Sequence, residues 1–408
     1  MARRAKGEGS LYFDEKRQSW RWHGYYVDLN GKKKFKNFYS KKQSDVKKKV
    51  DDFFNQLKNK TVIDKNITVN KWINTWLESF VKPSVKLTTY EIYKQKMSYV
   101  LNKMGEKPLY VITTLEFQQF LNELHNNGGE KGNGLSASTV NSVRRYFKIC
   151  CNSAVENGVI MRNPILATKA IRKKKMEMVI MTEDEVRLVL NIAQKGDYIY
   201  EGISDKRLLN YNEGTEYLIR CYYVLIHTAL STGMRIGELR GLTWSCINFD
   251  KKYIEVRNQI VSVSKQLIFD TPKTTGSIRK IVIDNNLIDV LKKFKLYQYN
   301  YKSTLAEHFI NEYNLVFTNT FGSPIDLHNF RVRYFNKILK AANINPNFTI
   351  HCMRHTHASI LLKNGVNIKV VSERLGHSTV TITLNTYAHI LENMEYSASN
   401  TWASIINK

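Results

Sequence analysis

Four short motifs in the second half of the chain carry side chains suited to a phosphate. In His351-Cys352-Met353-Arg354-His355, His351 and Arg354 stand three residues apart, which puts them on one face of a helix. An arginine offers a planar two-pronged donor to phosphate oxygens, and a histidine can move a proton near neutral pH. A structural histidine beside a surface arginine would have the same spacing. In Thr232-Gly233-Met234-Arg235-Ile236-Gly237-Glu238-Leu239, two glycines flank one arginine and let the backbone pack closely, fixing where the guanidinium points. Glu238 is placed to buttress that turn, although an ordinary corner between two helices reads the same way. Thr271-Pro272-Lys273-Thr274-Thr275-Gly276-Ser277 lies between two expected strands and puts Lys273 near a hairpin tip, where a lone lysine is usually just solvated. Last come Leu375-Gly376-His377-Ser378 and Asn385-Thr386-Tyr387-Ala388-His389, with Tyr387 ten residues after His377. A tyrosine is more often a core or surface aromatic than a nucleophile. Its chemical meaning comes from the company it keeps.

The elements that must hold these motifs begin at Thr182-Glu183-Asp184-Glu185, a helix-opening capping box. Helical patterning dominates from there, and an apolar helix, Tyr222 to Leu230, leads into the Arg235 turn. One β section interrupts it, at Tyr253–Val256, Gln266–Phe269 and Arg279–Ile283. The stretches Gly196–Glu216 and Tyr297–Tyr313 are longer than a minimal domain needs. No phosphate-cradling G-x-x-x-x-G-K-[ST] loop and no H-E-x-x-H helix occurs.

Two further units precede this one. Leu11–Phe13, Trp20–Val27 and Lys34–Tyr39 read as three short aromatic strands, with Asn30-Gly31 as a hairpin turn. Ser44–Leu57 reads as a helix with Val46, Val50, Phe53, Phe54 and Leu57 on one stripe. Arg21, Lys32, Lys33, Lys34 and Lys36 cluster on or near that sheet. A polar link leads to a helical unit in which Trp72, Trp76 and Phe80 form a core stripe. There Thr113 or Thr114 caps an amphipathic helix, and Ser138 opens a long one through Glu156 with Val140, Val143, Phe147 and Cys151 inward. Lys94, Lys96, Arg144, Arg145 and Lys148 are expected to face solvent. Lys169–Met178, containing Arg172, Lys173 and Lys174, reads as a basic linker.

The charge follows this division. The 408 residues hold 62 Lys+Arg against 36 Asp+Glu, a formal net charge of +26. Residues 1–60 carry 17 basic against 7 acidic groups and residues 61–175 carry 18 against 8, leaving the last 233 residues nearly balanced at 27 against 21. With 43 % hydrophobic and 12 % aromatic residues the chain can build real cores, so it is no disordered basic tail. A polyanion is the expected partner, nucleic acid first. No run approaches the 18 or so apolar residues of a membrane span. The N-terminus has no apolar signal segment. Five cysteines, none in a C-x-x-C pair, fit reduced thiols in a cytosol.

Taken together, Arg235, Lys273, His351, Arg354, His377 and Tyr387, in this order and spacing, resemble the tyrosine recombinase or phage-integrase family. The resemblance covers residues of about 180–390 with specific motifs. It extends by pattern to the two N-terminal units, as in integrases of phages and integrative conjugative elements. It implies a multidomain, mainly α protein with small β-sheets. An arm-type DNA-binding domain would span 1–62, a helical SAM-like core-binding domain 67–170, and an α+β catalytic domain 178–392. A C-terminal tail, 393–408, carries Met394, Tyr396, Trp402, Ile405 and Ile406 for docking in cis or on a neighbouring protomer.

The resemblance also implies a mechanism. Tyr387 would attack the scissile phosphate to give a 3′-phosphotyrosine and a free 5′-hydroxyl, with no metal and no cofactor. Arg235, Arg354 and His377 would hold the phosphate oxygens, His351 would accept the tyrosine proton and Lys273 would protonate the leaving oxygen. Glu238 would support the Arg235 turn, and His355, His357 and His389 would be structural. Strand exchange would run through a Holliday junction in a homotetramer on core and arm attachment sites. The family often adds an excisionase and a host DNA-bending protein, and it acts in the bacterial cytoplasm, at the nucleoid when bound to DNA. The competing readings are a Xer-like resolvase, a type IB topoisomerase-like enzyme and a DNA-binding protein without chemistry. The basic unit at 1–62 speaks against the first two, and the complete set of six against the third.

The charge yields a first test. Affinity for duplex DNA, followed by fluorescence anisotropy, should fall steeply with salt, each neutralised phosphate adding about 0.9 to the log–log slope. A slope near zero would mean that the basic surface does not meet the duplex.

Overall fold

In a computed structural model of the chain, the described residues are 9–27, 33–58, 67–129, 132–173, 178–197, 213–263, 266–270, 278–391, 402–403 and 405–406. They form two compact units, Met1–Lys175 and Met176–Lys408. No helix among the described residues is long and apolar enough to cross a membrane.

The first unit opens with an antiparallel sheet of β1 (Ser10–Asp14), β2 (Ser19–Val27) and β3 (Lys33–Ser40), in that order, followed by α1 (Gln43–Lys58). The period-two alternation splits the sheet into two faces. One face packs on α1: Trp22 is buried and lies 5.7 Å from the Phe54 ring, and Tyr26 and Phe38 both meet Phe53. The expected hairpin turn at Asn30-Gly31 lies outside the described residues.

Four helices follow: α2 (Val69–Trp76), α3 (Leu87–Met104), α4 (Thr114–Asn127) and α5 (Ala137–Glu156). Trp72 and Trp76 are core, as their spacing predicts, but Phe80 is 42 % exposed. The reason is local. The helix widens into a π turn over Leu77–Val81, which buries Leu77 and Val81 and turns Phe80 outward. Thr113 caps α4 through its hydroxyl. Ser136 caps α5, two residues earlier than the expected Ser138, and Val140, Val143, Phe147 and Cys151 are all fully buried.

The second unit begins with α6 (Glu183–Lys195), opened by Thr182 and Glu185 as a complete capping box. The apolar α7 (Glu213–Thr232) and the single-turn α8 (Ile236–Arg240) come next. A small sheet pairs β4 (Ile247–Asn248), β5 (Tyr253–Val256) and, beyond the two-stranded ribbon β6 (Gln259–Val263) and β7 (Gln266–Asp270), β8 (Arg279–Val282). The strands flanking Lys273 therefore pair with other partners, β7 with β6 and β8 with β5, rather than with each other. The expected hairpin around Lys273 is instead a link between two sheets, and Lys273 itself lies outside the described residues.

The rest is helical: α9 (Asn285–Leu305), the short α10 (Leu327–Asn329), α11 (Asn336–Ala341), α12 (Ile350–Lys363), α13 (Ile368–Leu375) and α14 (Val380–Leu391). The long Tyr297–Tyr313 stretch is partly core. Tyr301 stacks on the buried Tyr217 at 4.2 Å, and Phe309 meets both rings. Gln298 is buried with its amide fully used: it accepts from Trp244 and donates to Tyr217 and Val316.

In the first unit, Arg144 departs from its expected solvent-facing role. Its Nε donates to the Thr168 hydroxyl at 2.8 Å and its Nη2 to the Thr168 carbonyl, while Asn141 bonds both backbone groups of Ile171. These contacts fasten the chain after the last helix onto α5. Arg144→Ala should cost about 2 kcal/mol, the range for hydrogen bonds from a charged group. It should also raise amide exchange across 165–173 while leaving α2–α4 protected. Unchanged exchange there would mean that the clamp does not hold the segment.

Candidate active site

All the described side chains of the catalytic motifs lie in the second unit, where helix ends bring them together. Arg235 sits between α7 and α8, with its side chain 39 % exposed. The Glu238 carboxylate accepts from the Arg235 backbone N–H at 2.8 Å and from its Nη1 at 2.9 Å. Arg279, from β8, meets the same carboxylate with both terminal nitrogens, at 3.0 and 2.9 Å. Burial alone would raise the Glu238 pKa, but Arg279 and then Arg235 outweigh it and hold the group ionised, below its ordinary range. Arg279 was not singled out by the sequence. A basic residue that opens a strand after a basic-polar loop carries no pattern of its own.

Arg354 projects from the second turn of α12 and is 4 % exposed. Its Nη1 donates to the Gly233 carbonyl and its Nη2 to that of Leu375, both at 2.8 Å. The Gly376 carbonyl accepts from Arg235 Nη2 at 3.2 Å. Two glycines in the left-handed region make this possible. Gly233 has φ +64°, and a Cβ there would fall 2.7 Å from the His357 ring and 2.9 Å from Leu375. Gly376 has φ +69° and ends α13, turning its carbonyl end toward the arginines. Behind this layer, Arg374 donates to Ser231, Val282 and His357 Nε2, so His357 donates from Nδ1 to Leu230. His357 is structural, as the sequence reading has it.

The arrangement concentrates positive charge. Three guanidiniums (Arg235, Arg279 and Arg354) share one carboxylate, and each terminal nitrogen of Arg354 keeps a second N–H for a ligand. Burial, then Arg235, pull the Arg354 pKa down to about 9, while Glu238 and Tyr387 pull the other way. His351, on the exposed side of α12, is held below its ordinary pKa by burial, then Arg354 and Arg235. His377 is lowered to about 4 by burial and the same arginines, and its Nδ1 lies 2.8 Å from the Thr383 hydroxyl, leaving Nε2 for a ligand. A surplus of fixed donors around neutral imidazoles is an anion site.

Tyr387, in α14, is 1 % exposed and packs with Ala358, Leu362, Val371 and Leu375. Burial pushes its pKa up to about 12, with Arg354 working against the rise. Its hydroxyl lies 2.9 Å from His355 Nδ1. The sequence reading leaves His355 as structural and gives the tyrosine proton to His351. The structure puts His355 at that oxygen, with the His351 ring 4.7 Å from the His355 ring and perpendicular to it. The spacing held a usable signal: His351 and His355 are i and i+4 on one helix and share a face. His389 side-chain placement lies outside the described residues.

The expected duplex-contact residues divide. Arg21 and Lys33 lie on the sheet face turned away from α1, with Tyr12, Tyr25, Phe35 and Tyr39 all exposed beside them. Arg21 is paired with Asp14 at 3.3 Å, and Lys33 covers the Tyr25 ring. Lys34 and Lys36 fall on the α1 side by register, and Lys36 stands over Phe38 and Phe53. Among the helical candidates Lys94 and Arg145 are exposed, Lys96 and Lys148 half-buried, and Arg144 is used as described above. Arg172 and Lys173 are exposed, whereas Lys32 and Lys174 lie outside the described residues.

Comparison with known proteins gives this geometry its context. The chain is 30 % identical over 389 residues to a "Tyrosine recombinase XerC-like" protein of Caldanaerobacter subterraneus, covering 92 % of this chain and 93 % of that one. It is 24 % identical to the ICEBs1 integrase of Bacillus subtilis, covering 76 % and 79 %. Its fold matches the Tn1549 transposon integrase solved with transposon right end DNA, with a TM-score of 0.64 at 24 % identity over 81 % of this chain and all of that one. It also matches lambda integrase solved as a tetramer on a Holliday junction, with a TM-score of 0.53 at 18 % identity over 94 % and 96 %. An N-terminal SAM-like domain of phage integrases matches residues 68–125, within the four-helix part of the first unit. The phage integrase family pattern itself matches residues 180–394, the stretch that holds the arginine cluster and the tyrosine, and the chain belongs to that family of DNA breaking and rejoining enzymes.

Proposed function

We propose that this chain is a site-specific recombinase that integrates and excises a mobile element, with Tyr387 as its nucleophile. The observation that carries the proposal is the cluster of Arg235, Arg279 and Arg354 about Glu238 and the Gly233 carbonyl, in the same unit as a buried, protonated tyrosine. Arg235 and Arg354 bind the nonbridging oxygens of the scissile phosphate, with His377 donating a further hydrogen bond. Charge that builds on those oxygens in the transition state meets donors already fixed by Gly233, Leu375, Gly376 and Glu238, so little reorganisation is needed. The tyrosine oxygen bonds to phosphorus as the bond to the 5′-oxygen breaks, and Lys273 supplies the proton that oxygen takes. The phosphotyrosine stores the bond, so the reverse attack by a 5′-hydroxyl reseals the strand without an energy source. Glu238 acts by holding Arg235 in place.

The other units divide the remaining tasks. The sheet of the first unit reads distal arm sites with the face that bears Arg21 and Lys33, a β-ribbon being of a size to enter the major groove. Its helices hold the core site through Lys94, Lys96, Arg145 and Lys148, and Arg172 and Lys173 follow the backbone between the units. Trp402, Ile405 and Ile406 are 61–64 % exposed, which favours docking of the tail on a neighbouring protomer in a tetramer. An excisionase and a DNA-bending host protein complete the proposed assembly.

Two experiments test this reading. On a nicked duplex carrying the element's own junction sequence, the protein should form a covalent adduct that survives denaturing gel electrophoresis. Tyr387→Phe should abolish the adduct and leave DNA affinity unchanged, and an adduct that persists would refute the nucleophile. Removal of residues 1–62 should abolish binding to arm-site duplexes and spare core-site cleavage, so equal loss of both would overturn the division of labour.

A further inference from the structure

His355 stands where the sequence gives no role to it. It follows Arg354 on α12 and lies one helical turn after His351. Its Nδ1 is 2.9 Å from the Tyr387 hydroxyl, within hydrogen-bond distance. The ring is half-buried and boxed in. From α12 it faces His351, edge to face at 4.7 Å, and the Arg354 charge; from α14 it faces Tyr387; and His377, on the turn before α14, lies near enough for a proton on either ring to disfavour one on the other.

We propose that His355 is a catalytic residue of this site: its Nδ1 accepts the Tyr387 hydroxyl proton as the tyrosine oxygen bonds to phosphorus. The inference rests on the recombinase reading above and assigns to His355 the proton transfer that the sequence alone gave to His351. In the forward step the O–H bond of Tyr387 breaks, its oxygen forms the bond to phosphorus, and His355 becomes an imidazolium. The bond from phosphorus to the 5′-oxygen breaks, and that oxygen takes its proton from another group. In the resealing step the 5′-hydroxyl attacks phosphorus and gives its proton back to Lys273, the bond from phosphorus to the tyrosine oxygen breaks, and His355 returns its proton to that oxygen.

The surroundings make this acceptor conditional on DNA. Burial, then His351 and Arg354, hold the His355 pKa at about 4, so at neutral pH the ring is uncharged and its Nδ1 lone pair is available. The same groups oppose the imidazolium. A phosphate diester seated on Arg235 and Arg354 brings a negative charge that offsets them, so the ring becomes a better base when the substrate is in place. The sign for pH follows: the active form is neutral, so cleavage falls as acid protonates His355.

The test is single-turnover adduct formation on the nicked junction duplex across pH. It uses His355→Ala, His355→Asn and His351→Ala, each alone and with a difluorinated, more acidic tyrosine at position 387. Asn keeps a hydrogen-bond acceptor near the place of Nδ1 but takes no proton. Both His355 variants should bind the duplex with wild-type affinity, cleave roughly a hundredfold or more slowly, and lose the acid limb. The acidic tyrosine should restore most of that loss. If His355→Ala does not bind, His355→Asn alone decides. The proposal is overturned if His355→Asn cleaves at the wild-type rate, if the acidic tyrosine gives no rescue, or if His351→Ala rather than His355→Asn removes the acid limb. Loss of the adduct in the wild-type protein, or its persistence in Tyr387→Phe, would instead sink the recombinase reading.

Discussion

Three guanidiniums crowded around one buried carboxylate set the terms for the second unit. Arg235, Arg279 and Arg354 repel one another, and Glu238 can satisfy two of them at most by direct contact. Arg354 is held by neutral partners instead, the peptide carbonyls of Gly233 and Leu375, which fix direction without removing charge. Breaking such a cluster by removing its one carboxylate would leave buried like charges facing each other, a costlier change than its area suggests. The mutual repulsion of these guanidiniums is also what would draw an anion to them.

The secondary structure serves that cluster. The carbonyls come from helix ends, where the last C=O groups lack partners within the helix and are free to accept from elsewhere. The α7 end supplies Gly233, and the α13 end supplies Leu375 and Gly376. Left-handed glycines let both chains turn at those points without a side chain entering the layer. Arg374 and His357 tie the same two helix ends together from behind, through Ser231 and Leu230. Precision at the phosphate thus depends on backbone geometry several residues from any group that would touch DNA.

Much of this was legible in the residues. The capping box at Thr182, the strands at 253–256 and 279–282 and the core faces of α1 and α5 follow from local pattern, because local hydrogen bonds and periodic burial create them. The motifs place Arg235, His351, Arg354, His377 and Tyr387 in one unit by their order and spacing alone. What stayed hidden depends on contacts distant in sequence. Phe80 keeps the spacing of a core residue, and only a π turn removes it from the core. Arg144 looks like any surface base until Thr168 arrives from another part of the chain. Lys34 and Lys36 share a basic run with Lys33, yet strand alternation sends them to the opposite face. His355 reads as structural in the sequence because the six-residue motif has no slot for it, and its contact with Tyr387 comes from a helix more than thirty residues away.

With Tyr387 as the proposed nucleophile, its near-complete burial has a meaning for the cell beyond the geometry of attack. A cell is full of small phosphate esters, and an open arginine pocket would attract any of them. A nucleophile that keeps its proton, in a wall of Ala358, Leu362, Val371 and Leu375, gives such visitors nothing to react with. Discrimination between a metabolite and a chromosome then need not lie in affinity. It can lie in reactivity, which a short ester leaves dormant and a long duplex, anchored along two basic units, has the binding energy to awaken.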